Sequence, residues 1–290
     1  MPRLLVQTRL TAWGDAHRRR LPWRDTRDPW EILVSEVMLQ QTQVTRVIPA
    51  WRAFLARFPT PAACAASPQS AVVTAWAGLG YNRRAVNLHR AATAVVDRHD
   101  GELPADFAGL RALPGIGPYT ARAVLAFAFE IDTGVIDTNA ARVLARTDGR
   151  RLTMSEAQAR ADALVPAGDA WRWNQVMLDL GATVCTKRAP RCEQCPVREV
   201  CAWAQRGFPE PDPAVGSAGV PGTHSRFDGS DRQGRGRLVD ALRAGRVARD
   251  AAALAHVMGW PDDPARAARV AETLIADGIA SVDDAHLTLA

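Results

Sequence analysis

The sequence predicts an all-α fold that is followed by a smaller C-terminal module of three helices and two short strands. Apolar residues recur at helical spacing through Asp28–Trp51 and again after Leu113, which is typical of packed helices. The two glycines of "LPGIG" indicate a tight turn between two of these helices. Residues 231–290 contain three further helical stretches, and the segment "SVDDAHLTLA" then predicts two strands joined by a polar turn.

The composition limits the class of protein. The chain has 290 residues, of which 47% are hydrophobic and 23% charged, enough for a sizeable core. The net charge of +5 is compatible with an anionic partner such as DNA but does not require one. Apolar runs such as "VLAFAF" are too short to span a bilayer, and the N-terminal segment lacks the pattern of a signal peptide. We therefore expect a cytoplasmic protein without membrane contact.

Four of the five cysteines lie in one segment, "CTKRAPRCEQCPVREVC", and are Cys185, Cys192, Cys195 and Cys201. A cytoplasmic chain rarely keeps structural disulfides. Structural zinc usually uses two short Cys-x2-4-Cys pairs, and only one such pair is present. Four thiolates on one loop can also bind an iron–sulfur cluster, so spacing alone leaves zinc and a cluster open. Cys64 lies in an Ala-rich stretch and is expected in the core.

These features resemble the helix-hairpin-helix DNA glycosylases, the superfamily of endonuclease III and the adenine DNA glycosylases of the MutY type. The cysteine spacing, "LPGIGPYTARAVLAFAF" and "SEVMLQQTQV" carry the resemblance, which covers roughly residues 7 to 205. It implies a 4Fe-4S cluster on the four cysteines. It also implies that Gly115 and Gly117 hold the DNA backbone, with a monovalent cation bound at the helix-hairpin-helix.

The resemblance implies a two-lobed architecture with an active site in the groove between the lobes. Residues 1–22 and 130–205 would form the iron–sulfur cluster lobe, and residues 23–129 a six-helix lobe that contains the helix-hairpin-helix. The Pro- and Gly-rich residues 206–230 read as a flexible linker. Residues 231–290 resemble a winged-helix module, and a generic helical module without DNA contacts is the alternative.

Two carboxyl groups are the candidate catalytic residues. Glu36 lies among apolar residues, so it either faces solvent or is partly buried with a raised pKa, as a general acid requires. Asp137 precedes a helix in "GVIDTNAARVLAR", where an N-cap position favours its charged form. The resemblance implies that Glu36 protonates the leaving purine and that ionised Asp137 stabilises the positive charge on the sugar.

The remaining site residues are also implied by the resemblance. The base pocket would contain Arg24 from "LPWR", with Tyr119, Asn139 and Gln175. Gln41 would be wedged into the base stack beside the extruded nucleotide, and Tyr81 would stack near the lesion. Asn82 stands where the family often has a second aromatic residue. Contacts to phosphates are expected from Arg188 and Arg191 in the cysteine loop.

The reaction is expected to leave the DNA strand uncut. Strand-cleaving relatives carry a nucleophilic lysine where this chain has Tyr119, and Lys187 in the cysteine loop is the only lysine among the 36 basic residues. The resemblance and the missing lysine therefore predict a monofunctional glycosylase that removes adenine opposite 8-oxoguanine or guanine in double-stranded DNA. The protein is expected to be a monomer.

Two alternatives remain from the sequence. One is a thymine or uracil mismatch glycosylase of the same fold, and the other is a non-enzymatic, cluster-bearing DNA-binding sensor. Retention of Glu36 and Asp137 argues against the sensor. The C-terminal module is too short for the Nudix-like domain of longer relatives, and Arg232, Arg235 and Arg237 at its start are expected to contact phosphates.

Overall fold

The computed structural model describes residues 3–220 and 226–290, which divide into two compact units. Each unit is assembled from segments that are separated along the chain. Within the described residues, unit 1 is drawn from Met1–Ile32, Ala105–Ala108 and Gly117–Thr223, and unit 2 from Leu33–Pro104, Gly109–Ile116 and His224–Ala290.

Both units are mainly helical, which confirms the predicted fold class. Short 3-10 helices add to the α-helices at Pro22–Arg24, Cys192–Gln194 and Arg198–Val200. The α-helices are α1 (Arg3–His17), α2 (Pro29–Leu39), α3 (Val44–Arg57), α4 (Pro61–Ala65), α5 (Gln69–Ala75), α6 (Arg83–Arg98), α7 (Phe107–Ala112), α8 (Pro118–Phe127), α9 (Thr138–Asp148), α10 (Met154–Leu164), α11 (Ala170–Thr183), α12 (Ala202–Gln205), α13 (Asp231–Ala244), α14 (Ala251–Met258) and α15 (Pro264–Ala276).

Unit 1 is organised around α11, which packs against α1, α8 and α9. Trp173 and Leu180 on α11 and Leu144 on α9 are almost completely buried, so the apolar faces of these helices form the core of the unit. Helix α9 also packs against α10 and α12. The residues at the start of α9 are therefore carried by one of the most enclosed helices of the unit.

Unit 2 has a core built from α2 to α6. The rings of Phe54 and Phe58 lie 4.8 Å apart, and the edge of Trp76 meets Phe54 at 5.8 Å between ring centroids. Cys64 on α4 is fully buried, as expected, and burial raises the pKa of its thiol to about 12. An inert core role for Cys64 follows from that environment.

The C-terminal part of unit 2 contains α13, β1 (Val247–Ala248), α14, α15, β2 (Ala280–Asp283) and β3 (His286–Leu289). The strands form an antiparallel sheet in the order β1-β3-β2, with Leu287 of β3 opposite both Val247 and Val282. This order of helices and strands agrees with the winged-helix-like module expected from the sequence. Strand β1 was not predicted from the sequence, because a strand of two residues is too short to show an alternating pattern.

The Pro- and Gly-rich segment after α12 is partly packed onto unit 1. Asp212 forms an ion pair with Arg146 at 2.7 Å, and the backbone amide of Leu152 donates a hydrogen bond to the Ser217 hydroxyl. Composition predicted a flexible linker across 206–230, whereas residues 212–218 form a packed connection. Residues 221–225 lie outside the described part of the chain.

None of the helices in residues 3–220 and 226–290 combines the length and the hydrophobicity that crossing a membrane requires.

Candidate active site

Asp137 is the N-cap of α9, as its position in the sequence predicted. Its Oδ1 accepts hydrogen bonds from the backbone amides of Asn139 and Ala140 at 2.8 and 2.7 Å. Its Oδ2 accepts a third from the Asn139 side-chain amide at 2.7 Å. These bonds satisfy amides that the first turn of a helix leaves without partners, and they fix both carboxylate oxygens.

The surroundings of Asp137 shift its pKa in both directions. We expected the helix N-terminus to favour the charged form. Burial instead raises the pKa of Asp137 above its ordinary value of 3.8, although the amides of Ala140 and Asn139 and the nearby Arg142 act in the opposite direction. The residue as a whole is only partly buried, so shielding is concentrated at the carboxylate. The preference of Asp for N-cap positions identified the cap, but it does not account for burial by the tertiary structure.

A line of hydrogen bonds joins Asp137 to the cysteine loop. Asn139, which donates to Asp137, accepts a bond from Arg142 Nη2 at 2.8 Å. Arg142 in turn donates to the carbonyl oxygens of Cys185 and Gly181, each at 2.6 Å. Arg146, one turn further along α9, donates to the Cys185 sulfur at 3.4 Å and to the Thr186 carbonyl at 2.8 Å. Helix α9 thus carries the carboxylate at its start and holds the cysteine loop with two arginines.

Arg142 and Arg146 were missed in the sequence. Both are nearly buried, yet they belong to a chain in which arginine supplies almost every basic residue, so neither stands out by type. Their spacing of four residues on a helix, with only apolar residues between them, is the signal that could have identified them.

Glu36 is buried on α2, with 4% of its surface exposed. Its neighbours Ser35 and Val37 are equally enclosed, so α2 is covered on nearly all sides rather than amphipathic. This decides between the two readings of Glu36 that the sequence allowed, in favour of the buried carboxyl. Glu36 belongs to unit 2 and Asp137 to unit 1.

Arg24, expected in the base pocket, is committed to Asp179. Its Nη1 and Nη2 donate to the two carboxylate oxygens at 2.7 and 2.9 Å, and Arg19 donates to the same group. Burial alone would raise the pKa of Asp179, but the hydrogen bonds and charges of Arg24 and Arg19 hold it below its ordinary value. Gln175 is buried on the same helix, α11, and Tyr119 is a partly buried residue in the first turn of α8.

The two glycines of the predicted hairpin differ in their surroundings. Gly115 has φ +77°, and a Cβ there would lie 2.6 Å from the Cβ of Asn87, so both conformation and space require glycine. Gly117 is the N-cap of α8 with φ −81°, and a Cβ on it would meet nothing within 4 Å. The folded chain does not need glycine at 117, so that position leaves room for another molecule to approach the backbone.

Gln41 and Tyr81 share an unusual backbone conformation in unit 2. Gln41 is exposed with φ +56°, and Tyr81 is 42% exposed with φ +48°. Non-glycine residues rarely adopt this left-handed region, and such conformations persist where the surrounding structure enforces them. Both side chains are therefore presented to solvent by turns that are held in place.

Arg84 holds both turns, a role that no pattern in the sequence indicated. It is nearly buried at the start of α6, and burial lowers the pKa of its guanidinium to about 10. All of its acceptors are neutral oxygens, and its charge also lies 5.4 Å from the ring centroid of Trp76. The acceptors are the carbonyls of Val37, Met38, Gln40, Leu79 and Gly80 and the hydroxyl of Thr42.

The four thiols of the cysteine loop line one largely apolar cavity with Leu180 and Trp203. Cys195 accepts a hydrogen bond from the Val197 amide, and Cys201 accepts bonds from the amides of Trp203 and Ala204. Burial and the negative charges of neighbouring thiolates raise the pKa of the thiols of Cys192, Cys195 and Cys201. Such a group of thiols ionises together only when a positive centre compensates it.

The same thiols do not converge on one point. Among the residues that the structure describes, no three histidine, cysteine, aspartate or glutamate side chains are close enough to hold a single metal ion. The cysteines are also free of disulfides. Arg188 and Arg191, in the same loop, are both exposed to solvent.

The sequence and the fold are similar to those of known DNA repair proteins. The family model described as "HhH-GPD superfamily base excision DNA repair protein" matches residues 34–167. The adenine DNA glycosylase of Mycobacterium tuberculosis is 41% identical over 285 residues, which cover 96% of this chain and 91% of that protein.

The chain belongs to the adenine DNA glycosylase family.

The resemblance expected from the motifs is therefore confirmed, and the protein is a DNA glycosylase of base excision repair. Other members of the adenine DNA glycosylase family also match this chain. The Mycolicibacterium smegmatis protein is 41% identical and covers 93% of this chain and 90% of its own length. The human adenine DNA glycosylase is 39% identical over 68% of this chain and 39% of that protein.

Solved structures agree with the fold of this adenine DNA glycosylase family member. A thermostable thymine-DNA glycosylase has a TM-score of 0.66 and 28% identity, covering 70% of this chain and 97% of its own. A trapped endonuclease III–DNA covalent intermediate has a TM-score of 0.62 at 22% identity, covering 72% of this chain and all of its own. At that identity the second likeness concerns the fold alone.

Proposed function

We propose that this protein hydrolyses the N-glycosidic bond of adenine paired with 8-oxoguanine or guanine in double-stranded DNA. The observation that carries the proposal is the pair of carboxyl groups, Glu36 and Asp137. They occur in a chain that is 41% identical to an adenine DNA glycosylase. Glu36 is 4% exposed, and Asp137 is fixed by three hydrogen bonds at the start of α9. Each carboxyl group has an environment suited to one of the two roles that glycosidic bond cleavage needs.

In the proposed reaction, Glu36 donates its proton to a ring nitrogen of adenine as the bond between base and sugar breaks. The sugar then carries positive charge, which Asp137 stabilises in its ionised form. The hydrogen bonds from Asn139 and Ala140 and the charge of Arg142 support that form against the burial that raises its pKa. A water molecule adds to the sugar carbon and releases a proton, so the products are free adenine and an abasic site. The nucleotide has to leave the base stack first, because the bond is inaccessible inside the duplex.

The base pocket is proposed to contain Gln175, Tyr119, Asn139 and Arg24. Gln175 would read the hydrogen-bonding edge of adenine. Asn139 has its amide on Asp137 and its oxygen on Arg142, so its role is to orient the carboxylate. Arg24 would act through Asp179 in shaping the pocket wall, since its guanidinium is already hydrogen-bonded there.

Contacts to DNA are proposed at three places. The backbone around Gly115 and Gly117, with a monovalent cation, would hold a phosphate at the start of α8. The exposed Arg188 and Arg191 would contact further phosphates. Gln41 and Tyr81 would enter the base stack beside the target pair. We further propose a cytoplasmic monomer whose cluster lobe is formed by residues 1–22 and 130–205, with 23–129 as the helical lobe.

Cys185, Cys192, Cys195 and Cys201 are proposed to bind a 4Fe-4S cluster. The apolar cavity, the amides directed at sulfur and the need for a compensating positive centre all support it. When bound, the cluster cross-links the loop that presents Arg188 and Arg191.

Metal analysis tests the cluster independently of activity. Protein that is purified without oxygen should contain about four irons per chain and absorb broadly in the blue. Stoichiometric zinc in place of iron would overturn the assignment.

A panel of end-labelled duplexes tests the proposed substrate. Duplexes containing A:8-oxoguanine, A:G, T:G and U:G are incubated with the protein and then treated with alkali, which cuts abasic sites. We expect cleavage at adenine in the first two duplexes only. Cleavage at thymine or uracil instead would favour the mismatch glycosylase, to which the structural likeness to a thymine-DNA glycosylase gives some weight. Binding without cleavage of any duplex would favour the non-enzymatic sensor.

The same panel tests whether the strand is left uncut. Without alkali, the products should remain full length, because Tyr119 stands where a lysine nucleophile would be needed. Borohydride trapping of a DNA adduct on Lys187 would contradict this.

A further inference from the structure

The C-terminal module of unit 2 contacts the turn that presents Tyr81. Arg232 Nη1 on α13 donates a hydrogen bond to the Tyr81 hydroxyl at 2.7 Å. Arg243, three turns further along α13, donates to the Val73 carbonyl at 2.9 Å and to the Asn82 side chain at 2.8 Å. Helix α13 therefore approaches the turn from the side of the tyrosine hydroxyl, while Arg84 supports it from below.

A second set of contacts fixes the module to the same region. Gln69 on α5 donates to the Gly278 carbonyl at 2.7 Å, and Arg83, next to Asn82, forms an ion pair with Asp277 at 3.1 Å. The contacts involve both α5 and the start of α6, which flank the turn. The module is thus docked on the structure that carries Tyr81, within one compact unit.

The charges of the module argue against the phosphate-binding role that we expected from its arginines. Residues 231–290 contain eight arginines against nine aspartates and glutamates, a net charge of −1, so the rest of the chain carries +6. Arg235 is bonded to Thr273 and Asp277, and Arg237 donates to the Met258 carbonyl. A surface of that charge gives little general attraction to a polyanion.

The helix that a winged-helix protein would place in DNA is engaged in the same way. On α15, Arg266 and Arg269 pair with Asp231 at 2.7 and 3.3 Å, and Glu272 pairs with Arg249 at 3.0 Å. Both arginines of α15 are therefore engaged by the single carboxylate of Asp231 within the module, and the helix adds an acidic residue of its own.

The Tyr81 turn has a reason to need support. Gly78 and Gly80 have φ +79° and +69°, and Tyr81 itself has φ +48°. A tyrosine in this conformation carries backbone strain, and the residue is 42% exposed. A side chain that must enter a base stack in one orientation loses less entropy on binding when it is already held.

We propose that the C-terminal module is a brace for Tyr81, with Arg232 as a positioning residue that fixes the tyrosine hydroxyl and Arg243 as the anchor of the turn. The module acts on DNA recognition through Tyr81 and not through phosphate contacts of its own. This inference rests on the proposed function, in which Tyr81 stacks beside the target pair. Phe227, 53% exposed and 5.7 Å from the Arg232 guanidinium, extends the same aromatic and cationic surface.

A double-mutant cycle on the full-length protein tests the brace. Arg232→Met and Tyr81→Phe each remove one side of the hydrogen bond, and both are made in the Asp137→Asn background so that DNA is bound without being processed. The dissociation constant is measured for an A:8-oxoguanine duplex and for a fully paired duplex at several salt concentrations. We expect each single change to weaken binding of the mispaired duplex about fivefold and to leave the paired duplex unaffected.

Further variants distinguish a positioning role of Arg232 from direct contact with DNA phosphates. Arg232→Met should add nothing in the Tyr81→Phe background, and Arg232→Lys should restore binding because it still donates to the hydroxyl. The control Arg249→Met removes an exposed arginine from the same module and should change nothing. A flattened salt dependence with equal loss on both duplexes would show phosphate contact and overturn the proposal, as would additive effects in the cycle. Failure of the parent protein to prefer the mispaired duplex would instead contradict the proposed function.

Discussion

In unit 1 the carboxylate of Asp137 accepts three hydrogen bonds and is connected through Asn139 and Arg142 to the cysteine loop. In unit 2 the side chains of Gln41 and Tyr81 are exposed and depend on left-handed turns. The first region fixes the atoms of a functional group, whereas the second fixes a backbone and leaves its side chains in solvent.

The difference between the two regions matches two tasks. A group that stabilises charge on a reacting sugar gains from preorganisation, since nothing has to reorient during the reaction. A side chain that enters DNA has to be accessible before binding, so only its backbone can be held in advance. Buried arginines perform the holding in both regions: Arg142 and Arg146 in unit 1, and Arg84 in unit 2.

The largest expected effect comes from Asp137→Asn. Loss of the carboxylate charge should reduce single-turnover excision of adenine by about 10³-fold or more, while duplex binding remains. The amide still caps α9, so the thermal midpoint should not fall. Excision at the rate of the unchanged protein would remove Asp137 from the mechanism and with it the first half of the comparison.

Arg84→Met tests the second half. It removes the donors of six hydrogen bonds and should lower the free energy of unfolding by about 3 kcal/mol, with weakened binding to mispaired DNA. Arg98→Met is the matched control, because Arg98 lies on the same helix, α6, and is exposed to solvent. Urea unfolding measures both. Equal stabilities of the two variants would show that Arg84 does not hold the turns.

The two hairpin glycines should separate folding from DNA binding. Gly115→Ala places a methyl group against Asn87 in a left-handed backbone. It should therefore lower the free energy of unfolding by roughly 1–2 kcal/mol, which a lower thermal midpoint would show. Gly117→Ala meets no protein atom within 4 Å and should fold normally, while its affinity for any duplex falls. Normal DNA affinity of Gly117→Ala would place the phosphate contact elsewhere.

The smallest expected effect is on the pH dependence of stability. Because burial raises the folded-state pKa of Asp137 above its ordinary value of 3.8, its stabilising contribution is complete below that value. The contribution is lost as pH rises through the raised folded-state pKa. The thermal midpoint of the unchanged protein should therefore decline relative to that of Asp137→Asn from about pH 4 upward. Parallel curves for the two proteins would contradict the raised pKa.

Much of unit 1 could be predicted from the sequence, because its signals are local. Asp137 as an N-cap and the four clustered cysteines are readable from a few neighbouring residues. The raised pKa of Asp137 was not predictable, since the burial that raises it depends on the tertiary structure and not on neighbouring residues in the sequence. Glu36 was ambiguous for the same reason, and only its 4% exposure decides the reading.

The arginines that hold the turns and the loop were missed for a different reason. Arg84 and Arg142 bond mainly to backbone carbonyls, and Arg146 bonds to two of them. Every residue has a backbone carbonyl, so the sequence does not show which of them accept such bonds. The packed connection around Asp212 and Ser217 was predicted to be flexible because composition records Pro and Gly but not their contacts.

Identification of the released base tests the central claim most directly. The protein is incubated with an A:8-oxoguanine duplex in excess enzyme, and the free bases are separated and quantified by mass spectrometry alongside Asp137→Asn. The account predicts one adenine released per duplex, an intact strand, and release slowed by about 10³-fold or more in the variant. Release of thymine or uracil from mismatched duplexes without release of adenine, or equal adenine release by Asp137→Asn, would contradict it.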